Sequence, residues 1–307
     1  MSRKKRSISG PQEVGKALAK SALARRTRAL RARKAAVRAL PKSAVAKTAS
    51  ASVRAGTSAG ILIAEGDSWF DYPFHDVLKS LEDNYGYDVE NVARAGDRVE
   101  DMAYSGGQLD ELIRRVEKLL RRGDRPRAIL LSGGGNDIAG EVEFGMLINH
   151  AASSINGLNA SVVDGVIDQR LYDAYATILT AVSAVCQSTI GQTIPILVHG
   201  YDYAVPDGRG FAGGWWRLPG PWLDPGFRQK GYAQLARRKE IIKALIDRFN
   251  LMLSRIAGMS AFPHVRYVDL RGTLATGDAT YKKDWGNELH PTAAGFEAVA
   301  KKFAAKL

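Results

Sequence analysis

The chain has 307 residues, of which 45% are hydrophobic, and it carries a formal net charge of +12. This length and composition suffice to bury one large core or two small ones. A single cysteine, Cys186, excludes a fold held by intramolecular disulfides. No apolar run reaches the length of a membrane span, and the N-terminus lacks the apolar stretch of a secretory signal peptide, so we expect a cytoplasmic protein.

The positive charge is concentrated in residues 1–56, which contain 16 Lys or Arg and a single acidic residue, Glu13. The other 251 residues hold 28 Lys or Arg and 31 Asp or Glu, so residues 57–307 are close to neutral. The Ala, Arg, Lys and Ser content of residues 1–56 predicts a disordered or partly helical extension, with a fraying helix over 11–38. Its charge also suits a weak contact with nucleic acid or an anionic membrane.

Residues 57–307 alternate between short apolar runs and helical patterns. The apolar runs predict five strands, over 61–64, 87–92, 128–131, 194–198 and 265–270. Apolar residues at helical spacing predict helices over 99–120, 171–185, 232–256 and 292–303. This alternation predicts an α/β domain in which helices cover both faces of a parallel sheet.

Two segments depart from the alternation. Residues 139–166 show little periodicity, and residues 201–229 combine Tyr and Trp with several Pro and Gly. A long aromatic loop of this kind is typical of a lid or a binding wall, and equally of a packed surface loop that covers the core.

Chemically useful residues follow the predicted strands. Ser68 comes just after the first strand, Gly96 after the second and Asn136 after the third, while His290 precedes the last helix. In a parallel sheet these loops meet at one edge. They would then supply the parts of acyl transfer, with Ser68 as the nucleophile and His290 as the base. The backbone N–H groups of Ser68 and Gly96 and the side-chain amide of Asn136 could form an oxyanion hole.

The four blocks resemble those of the SGNH hydrolases, also called GDSL lipases and esterases. The matching runs are Gly66-Asp67-Ser68-Trp69, with Trp where Leu is more usual, Ala95-Gly96-Asp97, Gly134-Gly135-Asn136-Asp137, and His290-Pro291. Each block alone is weak evidence, but four blocks in the right order are strong evidence. The resemblance implies a three-layer α/β/α, flavodoxin-like fold over residues 57–307, a Ser-His site, an ester substrate, and no metal or organic cofactor.

One position departs from the family pattern. The family usually has an Asp three residues before the His, and here that residue is Asn287. A neutral amide can accept the ring N–H but does not compensate an imidazolium charge. Asn287 is therefore the first candidate to orient His290, with Asp284, Glu288 or a backbone carbonyl as alternatives.

Other site types fit the sequence less well. Gly133-Gly134-Gly135 lacks the Gly-Lys-Ser/Thr of a P-loop, and the five histidines are scattered without a zinc-binding spacing. The leading hypothesis is a serine ester hydrolase that acts on a carboxylic ester or O-acyl group. The alternative is a catalytically silent binding protein with a hydrolase-like body, tethered by residues 1–56 to nucleic acid or an anionic membrane.

Overall fold

The computed structural model describes residues 9–38, 58–105, 107–211 and 219–307. Five strands form the central sheet: β1 Gly60–Glu65, β2 Tyr87–Asn91, β3 Ala128–Leu131, β6 Ile196–His199 and β7 Val265–Val268. Their order is β2-β1-β3-β6-β7, and all neighbouring pairs are parallel. Counted along the chain this is the order 2-1-3-4-5 of flavodoxin-like folds, so the predicted fold class is confirmed. A short antiparallel pair, β4 Ile148–Asn149 and β5 Gly157–Leu158, lies outside the sheet.

Helices connect and cover the strands. They are α1 Ser9–Arg38, α2 Val77–Tyr85, α3 Val99–Tyr104, α4 Gln108–Arg122, α5 Gly135–Ile138, α6 Glu141–Leu147, α7 Ala160–Gly165, α8 Tyr172–Ile190, α9 Asp224–Gln229, α10 Leu235–Ala257, α11 Tyr281–Asp284 and α12 Ala293–Ala304. A π-helical segment, Val166–Leu171, leads into α8. Helices α2 and α12 pack together on one face of the sheet, and α4, α8 and α10 cover the other. Within the described residues, no helix is long and apolar enough to cross a membrane.

The helix predicted over 99–120 is two helices in the structure. Helix α3 ends at Tyr104, and α4 starts at Gln108 after Gly107, whose φ of 79° lies in the left-handed region. Glycine adopts this conformation without the steric cost that other residues meet, so the sequence Ser105-Gly106-Gly107 provides a natural break. The apolar periodicity continues across the break because both helices pack against α8.

Helix α1 packs along the outer side of α8 and touches α4. Its buried side consists of small residues: Ala19 is 1% and Ala22 is 7% exposed. A Cβ on Gly15 would lie 2.5 Å from the backbone oxygen of Thr177, so glycine permits the two helices to approach closely here. The helix contains most of the predicted basic extension, whose residues 1–8 and 39–56 lie outside the described residues. The division of the chain at residue 56 stays a prediction.

Candidate active site

The turn that carries Ser68 lies at the switch point of the sheet, where β1 has β2 on one side and β3 on the other. Loops after the two central strands diverge at such a point and leave a crevice. Glycine is required at position 66, because a Cβ there would lie 2.6 Å from the Cβ of Ser132 at the end of β3. The close approach of the two strand ends brings the loop with Ser68 beside the loop with Asn136.

The side chain of Asp67 holds this turn. Asp67 is 1% exposed, and its Oδ1 accepts hydrogen bonds from the backbone N–H of Trp69 at 3.0 Å and from the Ser132 hydroxyl at 2.8 Å. The hydroxyl of Tyr201 donates to its Oδ2 and in turn accepts the backbone N–H of Gly135 at 3.1 Å. Asp67 therefore caps the turn, and the same carboxylate links the loops after β1, β3 and β6.

Ser68 and His290 are in direct contact. The Oγ of Ser68 lies 2.7 Å from Nε2 of His290, although 222 positions separate the two residues. The other ring nitrogen, Nδ1, lies 3.0 Å from Oδ1 of Asn287. That oxygen also accepts the backbone N–H groups of Leu289 and His290, both at 2.9 Å, which fixes the orientation of the amide. Because an amide oxygen only accepts, Nδ1 carries the proton, and Nε2 is free to accept the hydroxyl proton of Ser68.

The alternative orienting groups are used elsewhere. Oδ2 of Asp284 accepts the backbone N–H of Ala275 at 2.7 Å. The carboxylate of Glu288 accepts backbone N–H groups from the aromatic loop, including those of Trp222 and Leu223, both at 2.8 Å. Asn287 is therefore the side chain that the structure places against Nδ1 of His290. Glu288 instead anchors the aromatic loop beside the imidazole.

Aromatic rings enclose the imidazole. The ring of Tyr72 stacks on His290 with centroids 4.2 Å apart, and Trp222 meets it edge-on at 5.3 Å. The hydroxyl of Tyr72 also accepts the Nδ2–H of Asn287 at 3.0 Å. His290 is 5% exposed, and this burial lowers its pKa to about 3, because a charged ring would lose its hydration.

Sequence reasoning missed the contributions of Tyr72 and Trp69. No local pattern marks Tyr72, because its contacts come from a loop more than 200 positions away. Trp69 did carry a signal, namely Trp at a position where the family usually has Leu. Its indole N–H donates to the backbone oxygen of Leu289 at 3.0 Å, which ties the Ser68 turn to the His290 loop. A leucine could not make this bond.

The predicted oxyanion-hole residues come from adjacent loops. Gly96 has a φ of 88°, and the side-chain amide of Asn136 donates to the backbone oxygen of Asp97 at 2.9 Å. An amide nitrogen has two hydrogens, so one remains to face a substrate. The backbone N–H of Val99 donates to Asp137 at 2.9 Å, which fastens the same two loops a second time. Ser68, Asn136 and His290 line one cavity.

Two further polar residues lie in the loops around the site. Oδ2 of Asp71 accepts the backbone N–H of Ala95 at 3.0 Å and so helps to shape the loop that precedes Gly96. His199 is fully buried, and its Nδ1 lies 2.8 Å from the carbonyl of Gly200. Burial and a backbone partner are typical of a structural histidine rather than of one that contacts a substrate.

A family match and several similar solved structures are found among known proteins. The sequence profile of the GDSL-like lipase/acylhydrolase family matches residues 52–298. Similar solved structures include an extracellular lipase from Streptomyces rimosus, at 15% identity and a TM-score of 0.46, over 81% of this chain and 100% of that one. Another is a catalytic mutant of an acetylxylan esterase from Geobacillus stearothermophilus, at 16% identity and a TM-score of 0.41, over 82% and 95% of the two chains. A search of curated proteins found no match.

Proposed function

The chain belongs to the GDSL-like lipase/acylhydrolase family, and we propose that it hydrolyses a carboxylic ester or O-acyl group through an acyl-enzyme on Ser68. The contact of 2.7 Å between Ser68 Oγ and His290 Nε2 carries the proposal. A serine hydroxyl is a weak nucleophile until a neighbouring base takes its proton, and an imidazole with an unprotonated Nε2 is suited to that task.

In the acylation half, Ser68 Oγ attacks the acyl carbon while its proton moves to Nε2 of His290. The carbonyl oxygen becomes negatively charged, and the N–H groups of Ser68 and Gly96 and the amide of Asn136 are the proposed donors to it. Collapse of the tetrahedral intermediate breaks the ester C–O bond, and the leaving alcohol takes the proton back from Nε2. In the second half, water loses a proton to Nε2 and attacks the acyl carbon, which releases the carboxylic acid and restores Ser68.

The imidazole acts here without an adjacent carboxylate. Asn287 fixes its tautomer through the 3.0 Å contact to Nδ1, and the Tyr72 hydroxyl accepts one N–H of the Asn287 amide. The neutral amide does not stabilise the imidazolium that forms during the reaction. We therefore expect a slower acylation step than a Ser-His-Asp arrangement would give, but a base that stays unprotonated into the acidic range.

The test is hydrolysis of p-nitrophenyl acetate and butyrate by the purified protein. We expect Ser68→Ala to remove the activity and a fluorophosphonate probe to label the wild type but not the variant. Asp269→Ala changes an exposed side chain that pairs with Arg271 and serves as a matched control that keeps full activity. Equal activity of Ser68→Ala and wild type would overturn the proposal, and an unlabelled wild type would favour the catalytically silent alternative.

A second candidate function concerns the outer side of α1. Arg25 and Arg26 of this helix pair with Asp110 at 2.6 Å and Glu117 at 2.7 Å, and so hold α1 on α4. The outer side of α1 carries further basic residues. They are exposed and follow one another along the helix: Lys16, Lys20, Arg28, Arg31 and Lys34. Among the described residues of the exposed side, Val14 is the one large apolar residue, which is too few for membrane insertion, so we propose that this side contacts the phosphate backbone of a nucleic acid.

This contact is better tested by charge removal than by truncation, because deletion of α1 would uncover the buried surface of α8. The variant replaces Lys16, Lys20, Arg31 and Lys34 by Ala, which preserves the docking residues and helix propensity. We expect weaker, less salt-dependent binding of duplex DNA and unchanged ester hydrolysis. If the wild type binds anionic vesicles but not DNA, nucleic acid is the wrong partner. If the wild type and the variant bind DNA equally, the exposed side of α1 is not the binding surface.

A further inference from the structure

The cavity at Ser68 has a part with apolar walls besides the catalytic groups. One wall is a face of α10, where Ile242, Leu245 and Ile246 recur at helical spacing and are 2%, 2% and 6% exposed. Ala204, after β6, and Leu223, from the aromatic loop, contribute further apolar surface. We call this region, defined by these five residues, the acyl lobe. Ser68, Asn136 and His290 lie at its polar end.

Apart from Ser68, the carboxylate and hydroxyl groups that line the cavity have partners within the protein. The carboxylate of Asp202 accepts the backbone N–H groups of Tyr203 at 2.7 Å, Gly272 at 2.8 Å and Leu274 at 2.6 Å. Tyr201 donates its hydroxyl to Asp67, as described above. The five side chains of the acyl lobe are all apolar, and among the other described residues of the cavity wall the one buried polar side-chain atom without a partner is the indole Nε1 of Trp285, which can donate a single hydrogen bond. Such a lining suits a hydrocarbon chain better than a sugar, because apolar surface is buried there at little polar cost.

The reaction sequence decides which part of the ester enters the lobe. After acylation the alcohol must leave and water must reach the acyl carbon, whereas the acyl group stays bonded to Ser68. A lobe with walls of buried side chains suits the group that stays. The whole cavity, including the part beside Ser68, has a volume of about 50 Å³, which holds about four water-sized groups, and a methylene is of similar size.

We propose that the acyl lobe binds the hydrocarbon part of a short linear acyl group of about four carbons, and that Ile242 limits its length. The proposal rests on the proposed esterase function and adds a substrate class to it. Each buried methylene contributes about fourfold to kcat/KM, so butyrate, which has two methylenes more than acetate, should exceed acetate by about 15-fold. Decanoate should fall below butyrate, because its chain is longer than the lobe.

The main experiment measures kcat/KM for p-nitrophenyl acetate, butyrate, hexanoate and decanoate. Ile242→Ala lengthens the lobe and should move the preferred ester from butyrate toward hexanoate. Ile256→Ala is the matched control, since it makes the same change in a fully buried residue of the same helix that does not line the cavity. Ala204→Leu fills the lobe and should reduce butyrate hydrolysis about tenfold while acetate hydrolysis persists.

The results separate this proposal from the one on which it rests. A wild type that prefers decanoate, or identical chain-length profiles for Ile242→Ala and Ile256→Ala, would overturn the acyl lobe and leave ester hydrolysis intact. If the wild type hydrolyses none of the esters, the proposed function is wrong.

The lobe can also be tested without turnover. Calorimetric titration of Ser68→Ala with ethyl butyrate and ethyl decanoate should show tighter binding of the butyrate. Adding Ala204→Leu should weaken that binding about tenfold, and adding Ile256→Ala should leave it unchanged. Preference for the decanoate, or no effect of Ala204→Leu, would overturn the lobe independently of catalysis.

Discussion

The turn that carries Ser68 and the loop that carries His290 are held by different chemistry. A buried carboxylate, Asp67, organises the serine turn through backbone and side-chain donors from three loops. A neutral amide, Asn287, organises the histidine loop, with the ring of Tyr72 against the imidazole. One carboxylate often both orients the imidazole and compensates the positive charge that the ring gains during the reaction. Here Asn287 orients the ring but does not compensate that charge.

The arrangement also explains the aromatic enclosure of His290. A neutral ring loses little when it is removed from water, so Tyr72 and Trp222 can pack closely against it. An imidazolium in the same place would lose hydration without gaining a counter-charge, and this cost appears as the lowered pKa of His290.

The largest expected effect comes from removal of the base. His290→Ala should lower kcat by about 10⁴-fold or more, because proton transfer from Ser68 then has no acceptor. His264→Ala, at the opposite end of the strands just before β7, should leave kcat unchanged. The kcat values with p-nitrophenyl butyrate check both expectations, and near-normal turnover by His290→Ala would show that another group takes the proton.

On the serine side the expected effect is on stability. Asp67→Ala leaves three donors, the N–H of Trp69 and the hydroxyls of Ser132 and Tyr201, without their acceptor in a buried region. We expect a loss of about 3 kcal/mol in the free energy of unfolding, measured by urea denaturation. Asp67→Asn keeps one oxygen acceptor, so its free energy of unfolding should fall by less than that of Asp67→Ala. Equal stability of all three proteins would mean that these hydrogen bonds do not organise the turn.

On the histidine side, Asn287→Asp replaces the neutral amide by a carboxylate, so that a carboxylate then organises both regions. The wild-type base is protonated only as pH falls through about 3, so its activity should be flat between about pH 5 and 7. A carboxylate beside Nδ1 favours the charged ring and raises the pKa of His290, so a loss of activity should appear within that window as pH falls. Stabilisation of the imidazolium should also raise kcat at neutral pH about tenfold. Parallel pH–rate profiles of the two proteins would contradict this account.

Much of the fold could be predicted because its signals are local. Strands β1, β3 and β6 of the central sheet are short apolar runs. Thr292, which caps α12 by accepting the N–H of Gly295 at 3.2 Å, follows directly on the His290-Pro291 pair. The docking of α1 had no such signal. Its buried residues are Gly15 and alanines, whose small size suits close helix packing but does not look like a core in a sequence rich in Ala and Arg.

The candidate site also has a part that could be predicted from the sequence and a part that could not. Ser68, Asn136 and His290 lie in recognisable blocks, so their meeting at one edge followed from the parallel sheet. The choice among Asn287, Asp284 and Glu288 could not be made from sequence, since the three lie within five positions and only the path of the loop separates them. The role of Tyr72 depends on contacts between distant segments and left no pattern.

The smallest expected effect tests whether Tyr72 acts through Asn287. Tyr72→Phe keeps the ring against His290 but removes the acceptor of the Asn287 amide, so kcat should fall several-fold while KM stays unchanged. In an Asn287→Ala background the hydroxyl has no amide to hold, and the same change should have no effect. A double-mutant cycle in kcat should therefore give a coupling of about 1 kcal/mol between the two positions. Additive effects would show that the hydroxyl acts apart from Asn287.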